Sequence, residues 1–302
     1  MNQTPTEERI YEGAQHIRNL VGSGNPFFIG RNGTIEIEVL FFWVLRRRTG
    51  RLTPYPTYLQ QQIQQNAGVF PGTPESIDSW CKTYIESLEH MDGGAAGWYE
   101  PLWRAEKAIL DIHAPNAFRT PLRSLEPYYV PPGLRWTEQL VGKHVAVVSS
   151  FADSMQAQIQ RPNDIWTGAQ EGLLDISGAT WTFIRTGYAP ITAMGNAEWP
   201  GTYDTWQKAV EYVVEAVVAS GAQLTLIGCG GLGMIIAGRL KARGISAFVL
   251  GGAIQVLFGI KGRRWATHSV ISHFWNDAWV WPSPVEIPGA AVSVEGGCYW
   301  RL

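Results

Sequence analysis

The hydrophobic pattern of the chain changes near residue 140. Before that point apolar residues recur at helical spacing, as Ile10, Ala14 and Ile17 do. Such spacing places apolar side chains on one face of a helix. It predicts helices over residues 5–21, 34–47, 55–66, 75–91 and 101–112. The apolar run Phe27-Phe28-Ile29 predicts a buried strand between the first two helices.

After residue 140, short β-branched runs alternate with amphipathic segments. The pattern predicts strands over 144–148, 182–185, 223–227 and 246–250, and helices over 151–160, 205–219 and 232–243. Strands joined through helices by short connections form parallel pairs with right-handed crossovers. The pattern therefore predicts a single α/β domain over 1–302, with a Rossmann-like, mostly parallel sheet flanked by helices. Residues 50–140 are expected to form a helical or irregular insertion, and 267–302 a Trp-rich tail.

Composition narrows the classes of function. Charged residues make up 17% of the chain and the formal net charge is -2. Nucleic-acid binding is therefore not expected, because it needs a surplus of Lys and Arg on one face. The N-terminus lacks the pattern of a signal peptide, and no apolar run reaches the length of about 18 residues that a membrane span needs. With three cysteines and no CxxC pair, we expect a cytoplasmic protein.

One segment leaves open a peripheral contact with a membrane. The apolar run 39–45 is followed by Arg46, Arg47 and Arg48. A buried helix whose last turn carries cations has the same pattern, because cations suit the C-terminal end of a helix dipole.

A glycine-rich loop follows the predicted strand 223–227. Gly228, Gly230 and Gly233 have the spacing G-x-G-x-x-G, and Gly231 lies among them. Glycines at this place let the backbone approach a phosphate at a helix N-terminus. An NAD(P)-linked oxidoreductase is one interpretation, although the next strand lacks the terminal acid that dinucleotide folds use for the ribose. Tight packing of strand on helix is another.

A basic cluster follows the last predicted strand. Lys261, Arg263 and Arg264 lie close together in a chain with few charges, and Gly252 and Gln255 precede them. Guanidinium forks and a Lys ammonium suit a pyrophosphate. A solvated basic turn is the alternative.

The loop after the first strand is the third candidate. It reads Gly30-Arg31-Asn32-Gly33-Thr34-Ile35-Glu36. Glu36 falls in the first turn of a predicted helix, where a carboxylate is stabilised by the helix dipole. Helix capping therefore explains it, and a ligand for a metal or a sugar hydroxyl, or a base, is the functional interpretation.

These segments resemble the GT-D-type glycosyltransferases. The loop 30–36 is similar to the family's R-x-G-D-x-E, and the blocks 250–265 and 294–300 resemble GT-D-like proteins encoded near surface-glycan synthesis genes. Arg31, Gly33 and Glu36 match the Arg, Gly and Glu of the motif, while Thr34 replaces its Asp. The resemblance implies a GT-D-like fold in which the sheet binds a nucleotide sugar.

The implied function is transfer of a hexosyl or pentosyl group from a UDP- or GDP-sugar to a glycan or other hydroxyl acceptor, in polysaccharide biosynthesis. Mn²⁺ or Mg²⁺ would bind through Glu36, the diphosphate and waters, or the cationic cluster would replace the metal. The phosphate-binding residues would be Arg31, Gly33, Gly228, Gly230, Gly231, Gly252, Gln255, Lys261, Arg263 and Arg264. Asp153, Asp204 and Glu295 are candidates for the base. A non-catalytic sugar-binding protein of the same fold is the alternative.

Tryptophan is unusually frequent, with 14 Trp beside 11 Tyr and 11 Phe. Trp265, Trp275, Trp279, Trp281 and Trp300 fall near the end of the chain, beside the candidate segments. Stacking on a sugar or base and filling of the core both explain this excess.

Overall fold

One parallel sheet organises the protein. The computed structural model describes residues 6–50, 53–174 and 178–301. Within these ranges the sheet has seven strands, all paired in parallel, in the order β3-β2-β1-β7-β6-β4-β5. The strands are β1 (Phe28–Arg31), β2 (Gly93–Ala95), β3 (Phe118–Thr120), β4 (His144–Ser149), β5 (Thr180–Arg185), β6 (Leu224–Gly228) and β7 (Ser246–Val249). The predicted α/β fold with a Rossmann-like parallel sheet is confirmed.

Helices cover both faces of the sheet. They are α1 (Glu7–Gly22), α2 (Thr34–Thr49), α3 (Thr57–Gln65), α4 (Pro74–Leu88), α5 (Trp103–His113), α6 (Ala152–Gln158), α7 (Pro162–Ile165), α8 (Pro190–Ala193), α9 (Trp206–Ser220), α10 (Gly233–Ala242) and α11 (Ala253–Leu257). Polar side chains cap several of them: Thr73 accepts a hydrogen bond from the backbone N–H of Ser76, and Thr205 accepts one from that of Lys208. Such caps satisfy helical N–H groups that have no partner within the helix.

Two hydrophobic cores lie on opposite sides of the sheet. Along β4, Ala146 and Val148 face one core, whereas Val145 and Val147 face the other, because successive residues of a strand point to opposite faces. Helices α2, α4, α9 and α10 pack in the first core, and α1, α6 and α11 in the second. Each fully buried Val, Ile or Leu contributes about 1.5–3 kcal/mol relative to an exposed one.

Two strands come from a range that was expected to be an insertion. Residues 50–140 supply β2 and β3, which extend the sheet beyond β1. Their sequences, GGA and FRT, lack the β-branched alternation that identifies strands. Close packing explains the glycines, since a Cβ on Gly93 would lie 2.1 Å from the Phe118 ring and one on Gly94 would lie 1.9 Å from the carbonyl oxygen of Gly30.

The connections at the carboxyl edge of the sheet open a crevice. After β6 the chain enters α10 on one face, and after the neighbouring β4 it enters α6 on the other. The same divergence separates β1, followed by α2, from β7, followed by α11. In open α/β sheets, ligands bind where adjacent strands send their connections to opposite faces.

The tail follows an irregular path of short 3₁₀ turns, and Glu286 fixes it to α6. The buried Glu286 carboxylate accepts hydrogen bonds from the backbone N–H and hydroxyl of Ser154 and from the backbone N–H of Ser283. The Trp300 indole N–H donates to the carbonyl of Glu286 at 3.1 Å. These bonds hold the end of the chain against the carboxyl edge of the sheet.

Two of the tail's four tryptophans fill the core. Trp279 and Trp300 are buried, with Trp300 among the largest side chains that are fully buried. The stacking interpretation therefore does not apply to this pair.

The segment 39–48, which left open a contact with a membrane, lies within helix α2. Val39 and Leu40 of this helix are buried. The Arg46 guanidinium pairs with Asp78 at 3.2 Å and lies over the Tyr55 ring. The described chain includes no helix with the length and apolar character needed to cross a membrane.

Candidate functional site

A cavity of about 390 Å³ opens at the carboxyl ends of β1, β4, β6 and β7. We call it the strand-end cavity. It receives the loops after these strands, together with Arg264, Glu295 and Tyr299 from later in the chain. Parallel strands end at the same edge of a sheet, so segments far apart in sequence meet here.

Eight of the residues proposed to bind the phosphates, a metal or the sugar line this cavity: Arg31, Gly33, Glu36, Gly228, Gly230, Gly252, Gln255 and Arg264. Thr34 lines it too. Glu295, a candidate base, lines it as well. The other five do not line it: Gly231, Lys261, Arg263, Asp153 and Asp204.

A buried polar network fixes the loop after β1. The Asn32 amide donates to Glu106 at 3.0 Å, and its carbonyl oxygen accepts from the Tyr84 hydroxyl at 2.8 Å. The backbone carbonyl of Asn32 accepts from the Trp98 indole at 3.2 Å. Because buried polar groups are costly unless they are satisfied, this network holds both neighbours of Asn32 in a defined geometry.

Arg31 lies at the centre of the site. Its guanidinium donates to the carbonyl of Leu250 at 3.4 Å and lies 5.2 Å from the centre of the Trp98 ring. Gly251, with φ of +57°, makes room for it, because a Cβ there would lie 2.3 Å from a terminal nitrogen of Arg31. The side chain is thus positioned by a carbonyl and an indole, and no carboxylate of the described chain forms an ion pair with it.

Glu36 folds over the start of its own helix. A Cβ on Gly33 would lie 1.9 Å from a carboxylate oxygen of Glu36, so only glycine leaves space for this arrangement. Burial raises the pKa of Glu36, while the hydrogen bond from its own backbone N–H and the nearby charge of Arg31 lower it. The environment of Glu36 therefore favours the neutral carboxyl more than water does.

Arg264 supplies the second cation of the cavity. Its guanidinium lies 3.3 Å from the Glu295 carboxylate and 4.8 Å from the centre of the Tyr299 ring. Burial lowers the pKa of Arg264, but Tyr299 and Glu295 outweigh this effect and the net shift is upward. Glu295 is itself held in place, because its backbone N–H donates to the Asn66 side chain at 3.1 Å.

Gln255 contributes a buried acceptor to the wall of the cavity. Its amide nitrogen donates to the carbonyls of Lys261 and Tyr299, both at 3.0 Å. Its carbonyl oxygen has no hydrogen-bond partner among the described residues. An unsatisfied buried acceptor is unfavourable, and a donor that reached this buried oxygen would relieve that cost.

The glycine-rich loop packs mainly against the protein. A Cβ on Gly230 would lie 2.8 Å from the carbonyl oxygen of Ala67, and Gly230 has φ of +47°. The backbone N–H of Gly231 donates to that same carbonyl at 2.8 Å, and the carbonyl of Gly231 accepts from the Trp80 indole at 2.9 Å. Both backbone groups of Gly231 are thus used inside the protein.

The basic cluster separates into three different environments. The Lys261 ammonium lies 5.7 Å from the centre of the Trp275 ring, and the exposed Arg263 donates to the carbonyl of Gly296. Arg264 is the member of the cluster that faces the strand-end cavity.

The two aspartates proposed as bases lie on the surface. Asp204 pairs with Lys208 at 2.9 Å, and this contact lowers the pKa of Asp204. Asp153 is exposed in the first turn of α6, and its charge contributes to raising the pKa of the buried Glu286.

The cavity offers no cage of protein ligands for Mg²⁺ or Mn²⁺. Mg²⁺ usually binds through one or two carboxylates together with substrate phosphates and waters, so a cation held by Glu36 and a diphosphate stays a prediction. In the parts of the chain that the structure describes, no group of three or more His, Cys, Asp or Glu side chains could hold a metal ion. The nearer carboxylates face cations instead, with Glu295 paired to Arg264 and Glu36 beside Arg31.

Several residues of the cavity carry no signal in the sequence. Trp98 comes from the loop after β2, and the Ser150 and Tyr188 hydroxyls, 2.9 Å apart, come from the loops after β4 and β5. They belong to irregular segments that only the sheet order brings together. Tyr299 lies in a block noted for its resemblance, but its place in the cavity depends on the path of the tail.

Comparisons with known proteins give two structural matches. One is described as "The highly conserved domain of unknown function 1792 has a distinct glycosyltransferase fold"; it is 11% identical, with 82% of each chain covered and a TM-score of 0.36. The other is a selenomethionine-substituted structure of domain of unknown function 1792, 13% identical, with 82% of each chain covered and a TM-score of 0.31. No family model and no curated protein matches the chain.

Proposed function

We propose that the protein is a glycosyltransferase that binds a nucleoside diphosphate sugar in the strand-end cavity. The observation that carries the proposal is the meeting of Arg31 and Arg264 in one crevice at the carboxyl edge of the sheet. Guanidinium groups bind phosphate oxygens through charge-assisted, often bidentate hydrogen bonds. A cavity with two of them suits a diphosphate better than a neutral ligand.

The two arginines would assist the reaction by stabilising the diphosphate as it leaves. In glycosyl transfer the acceptor oxygen forms a bond to the sugar's anomeric carbon while the bond from that carbon to the diphosphate oxygen breaks. The electron pair of the broken bond stays on the diphosphate, and the proton of the acceptor hydroxyl would pass to a carboxylate, for which Glu295 is the candidate base that lines the cavity. Arg31 and Arg264 would stabilise that growing charge. Donors held in place before the reaction lower the barrier, because they need not reorganise as the charge develops. The Asn32 network and the Glu295 contact provide this preorganisation.

Two further side chains suit the uncharged parts of the donor. The free carbonyl oxygen of Gln255 would accept a hydrogen bond from a sugar hydroxyl or a base N–H. Glu36 would hold a sugar hydroxyl. In this proposal the arginines replace the metal that the GT-D resemblance implies, with Thr34 standing at the position of the missing carboxylate. The acceptor would be a hydroxyl of a glycan in polysaccharide biosynthesis.

Calorimetric titration with UDP and GDP, each with and without Mn²⁺, tests the proposal. We expect one of them to bind without added metal, and NADH to bind much more weakly. Absence of binding by either nucleoside diphosphate in both conditions would refute the proposal. Tight NADH binding would instead support the oxidoreductase interpretation of the glycine-rich loop.

Turnover separates an enzyme from a sugar-binding protein of the same fold. We expect slow hydrolysis of at least one sugar nucleotide in a panel of UDP-glucose, UDP-galactose and GDP-mannose, measured as released nucleoside diphosphate. Glu36→Gln should lower that rate while the protein stays folded. Binding without turnover of any donor would favour the non-catalytic alternative.

A further inference from the structure

A second cavity, of about 590 Å³, lies at the carboxyl ends of β2 and β3. We call it the side cavity. Its walls include Arg9 of α1, Trp98, Arg123 and His268. Trp265, a stacking candidate from the sequence, lines it, and none of the residues proposed for phosphate binding or as a base does. Its relation to that cavity rests on the proposed function.

Trp98 is the wall between the two cavities, since it lines both. The indole N–H is fixed on the backbone of Asn32, and Arg31 lies over the ring from the strand-end side. A molecule in the side cavity would therefore be separated from a ligand of Arg31 by one aromatic side chain. The two cavities thus meet at one side chain, and their ligands would be neighbours.

The side cavity carries cations without acidic partners. Arg9 and Arg123 have no Asp or Glu within ion-pair distance among the described residues. Arg123 lies 4.9 Å from the centre of the Tyr129 ring, which orients its guanidinium without neutralising it. A third arginine, Arg119, pairs with Asp111 at 2.6 Å. The first two guanidiniums are thus available to an anion.

His268 adds a neutral donor. Its Nδ1 accepts hydrogen bonds from the backbone N–H groups of Val270 and Ile271, at 3.1 and 3.2 Å. These two bonds place the proton of the neutral ring on Nε2. Burial, followed by the charge of Arg123, lowers the pKa of His268 and so favours the neutral ring. Nε2–H can therefore donate to a hydroxyl or a carboxylate.

Aromatic rings supply the apolar part of the wall. Trp98, Tyr129 and Trp265 line the cavity. Such rings offer flat apolar faces on which the C–H side of a pyranose packs, with polar groups left at the edges. Rings combined with unpaired arginines indicate a ligand that is both a sugar and an anion.

Glu126 is the acidic group that this ligand would meet. Burial raises the pKa of Glu126 to about 7, although the charges of Arg31 and Arg123 act to lower it. Its charge contributes to raising the pKa of the Tyr128 and Tyr129 hydroxyls. The carboxyl is thus partly neutral near pH 7 and repels an anion less than an ordinary carboxylate does.

We propose that the side cavity is the acceptor subsite for a sugar that bears a carboxylate or a phosphate, with Arg123 and Arg9 on the anionic group and Trp98 against the donor. The acceptor hydroxyl would then approach the donor past the edge of Trp98.

The test measures binding of three small probes to the full chain saturated with UDP or GDP, whichever binds. Methyl β-D-glucuronide carries a carboxylate, glucose 6-phosphate carries a phosphate, and methyl β-D-glucoside is the neutral match. We expect at least one anionic probe to bind about tenfold more tightly than the glucoside, as one charge-assisted hydrogen bond allows. Comparison of the two anions identifies the group that the site prefers.

Variants assign the binding to the side cavity. Arg123→Gln should weaken the anionic probe about tenfold and change the glucoside little. Arg104→Gln, at an exposed position of α5 outside both cavities, is the matched control and should change neither. The affinity of the anionic probe should also fall as the pH rises from about 6 to 8 and Glu126 ionises, and Glu126→Gln should flatten this dependence.

The outcomes separate the two proposals. Equal binding of anionic and neutral probes, or displacement of the nucleoside diphosphate by the anionic probe, overturns the acceptor subsite and leaves the donor proposal standing. Failure of UDP and GDP to bind overturns the proposed function. An Arg123→Gln protein with unchanged probe affinity and an unchanged unfolding midpoint also overturns the acceptor subsite.

Discussion

The loops after β1 and β6 both reach the strand-end cavity, but they contribute in different ways. The loop after β6 has the clearer motif, G-x-G-x-x-G, yet Gly231 bonds to Ala67 and Trp80 inside the protein. The loop after β1 has a less regular pattern, yet it presents Arg31 and Glu36 to the cavity. A glycine motif indicates a position where the backbone has a close neighbour. Whether the close neighbour is a phosphate or another part of the chain depends on what folds against it.

The same distinction applies within the basic cluster. Three adjacent cations suggested one anion site, but a short irregular segment turns them to different sides. Arg264 faces the cavity, Arg263 is exposed on the Gly296 carbonyl, and Lys261 lies near Trp275. The pair of arginines that we assign to the diphosphate comes instead from opposite ends of the chain.

Gly230→Ala should give the largest effect, and it should act on stability. The substitution places a Cβ 2.8 Å from the Ala67 carbonyl at φ of +47°. Strained backbone and overpacking together should lower the free energy of unfolding by about 2–4 kcal/mol, measured by urea denaturation. Gly244→Ala, with φ of +78° and open space around it, should cost only about 1 kcal/mol.

Nucleotide binding by the folded Gly230→Ala protein then tests whether the loop after β6 contacts the phosphates. We expect the affinity for UDP or GDP to change by less than about twofold. A stable variant that has lost nucleotide binding would show that the β6 loop contacts the phosphates.

Arg31→Gln should weaken the binding of the nucleoside diphosphate by about 10- to 100-fold. This range corresponds to the loss of hydrogen bonds between a charged donor and a phosphate. Calorimetric titration measures it, and Arg239→Gln, at a surface ion pair with Glu211, is the control that should change nothing. Unchanged affinity would remove Arg31 from the binding site.

Arg264→Gln and Arg263→Gln form a matched pair of neighbours. We expect the first to weaken nucleoside diphosphate binding about tenfold, because Arg264 lines the cavity. The second should have less than about a twofold effect, because Arg263 points away. Equal losses would mean that the cluster acts as a unit, as its sequence suggested.

Glu126→Gln should act on the pH dependence of stability rather than on nucleotide binding. The pKa of this carboxyl is about 7 in the folded protein, against an ordinary value of 4.5. The folded state therefore holds a proton that the unfolded chain releases, and stability falls as the pH rises through this interval.

The glutamine variant lacks this loss. It should be more stable than the parent by about 3 kcal/mol at pH 8 and equal to it at about pH 4, in urea denaturation at the two pH values. Glu100→Gln, an exposed position on the same cavity, should show no such difference. Parallel pH profiles of the Glu126 variant and the parent would contradict the raised pKa.

The local sequence pattern predicted the elements that bury a full face. The β-branched run of β4 and the apolar periodicity of α9 identified a strand and a helix, because each buries such a face. β2 and β3 were not predicted from the sequence. The glycines of β2, Gly93 and Gly94, are required by close contact with Phe118 and Gly30, which are distant in sequence.

The site divides in the same way. Arg31 and Glu36 could be found from their place between a strand and a helix. Trp98 and Glu126 could not, because irregular segments carry them to the sheet edge and their environment depends on which strands are neighbours. The raised pKa of Glu126 arises from burial, a property that composition and spacing do not encode.

The anchoring of the tail on Glu286 has a consequence for biosynthesis. The strand-end cavity takes Arg31 from the first strand and Glu295 and Tyr299 from the tail that Glu286 holds. A ribosome delivers these parts in order, at about 5–20 residues per second. The sheet can therefore assemble while the cavity still lacks a wall, and ligand binding becomes available only after the tail has been released and docked.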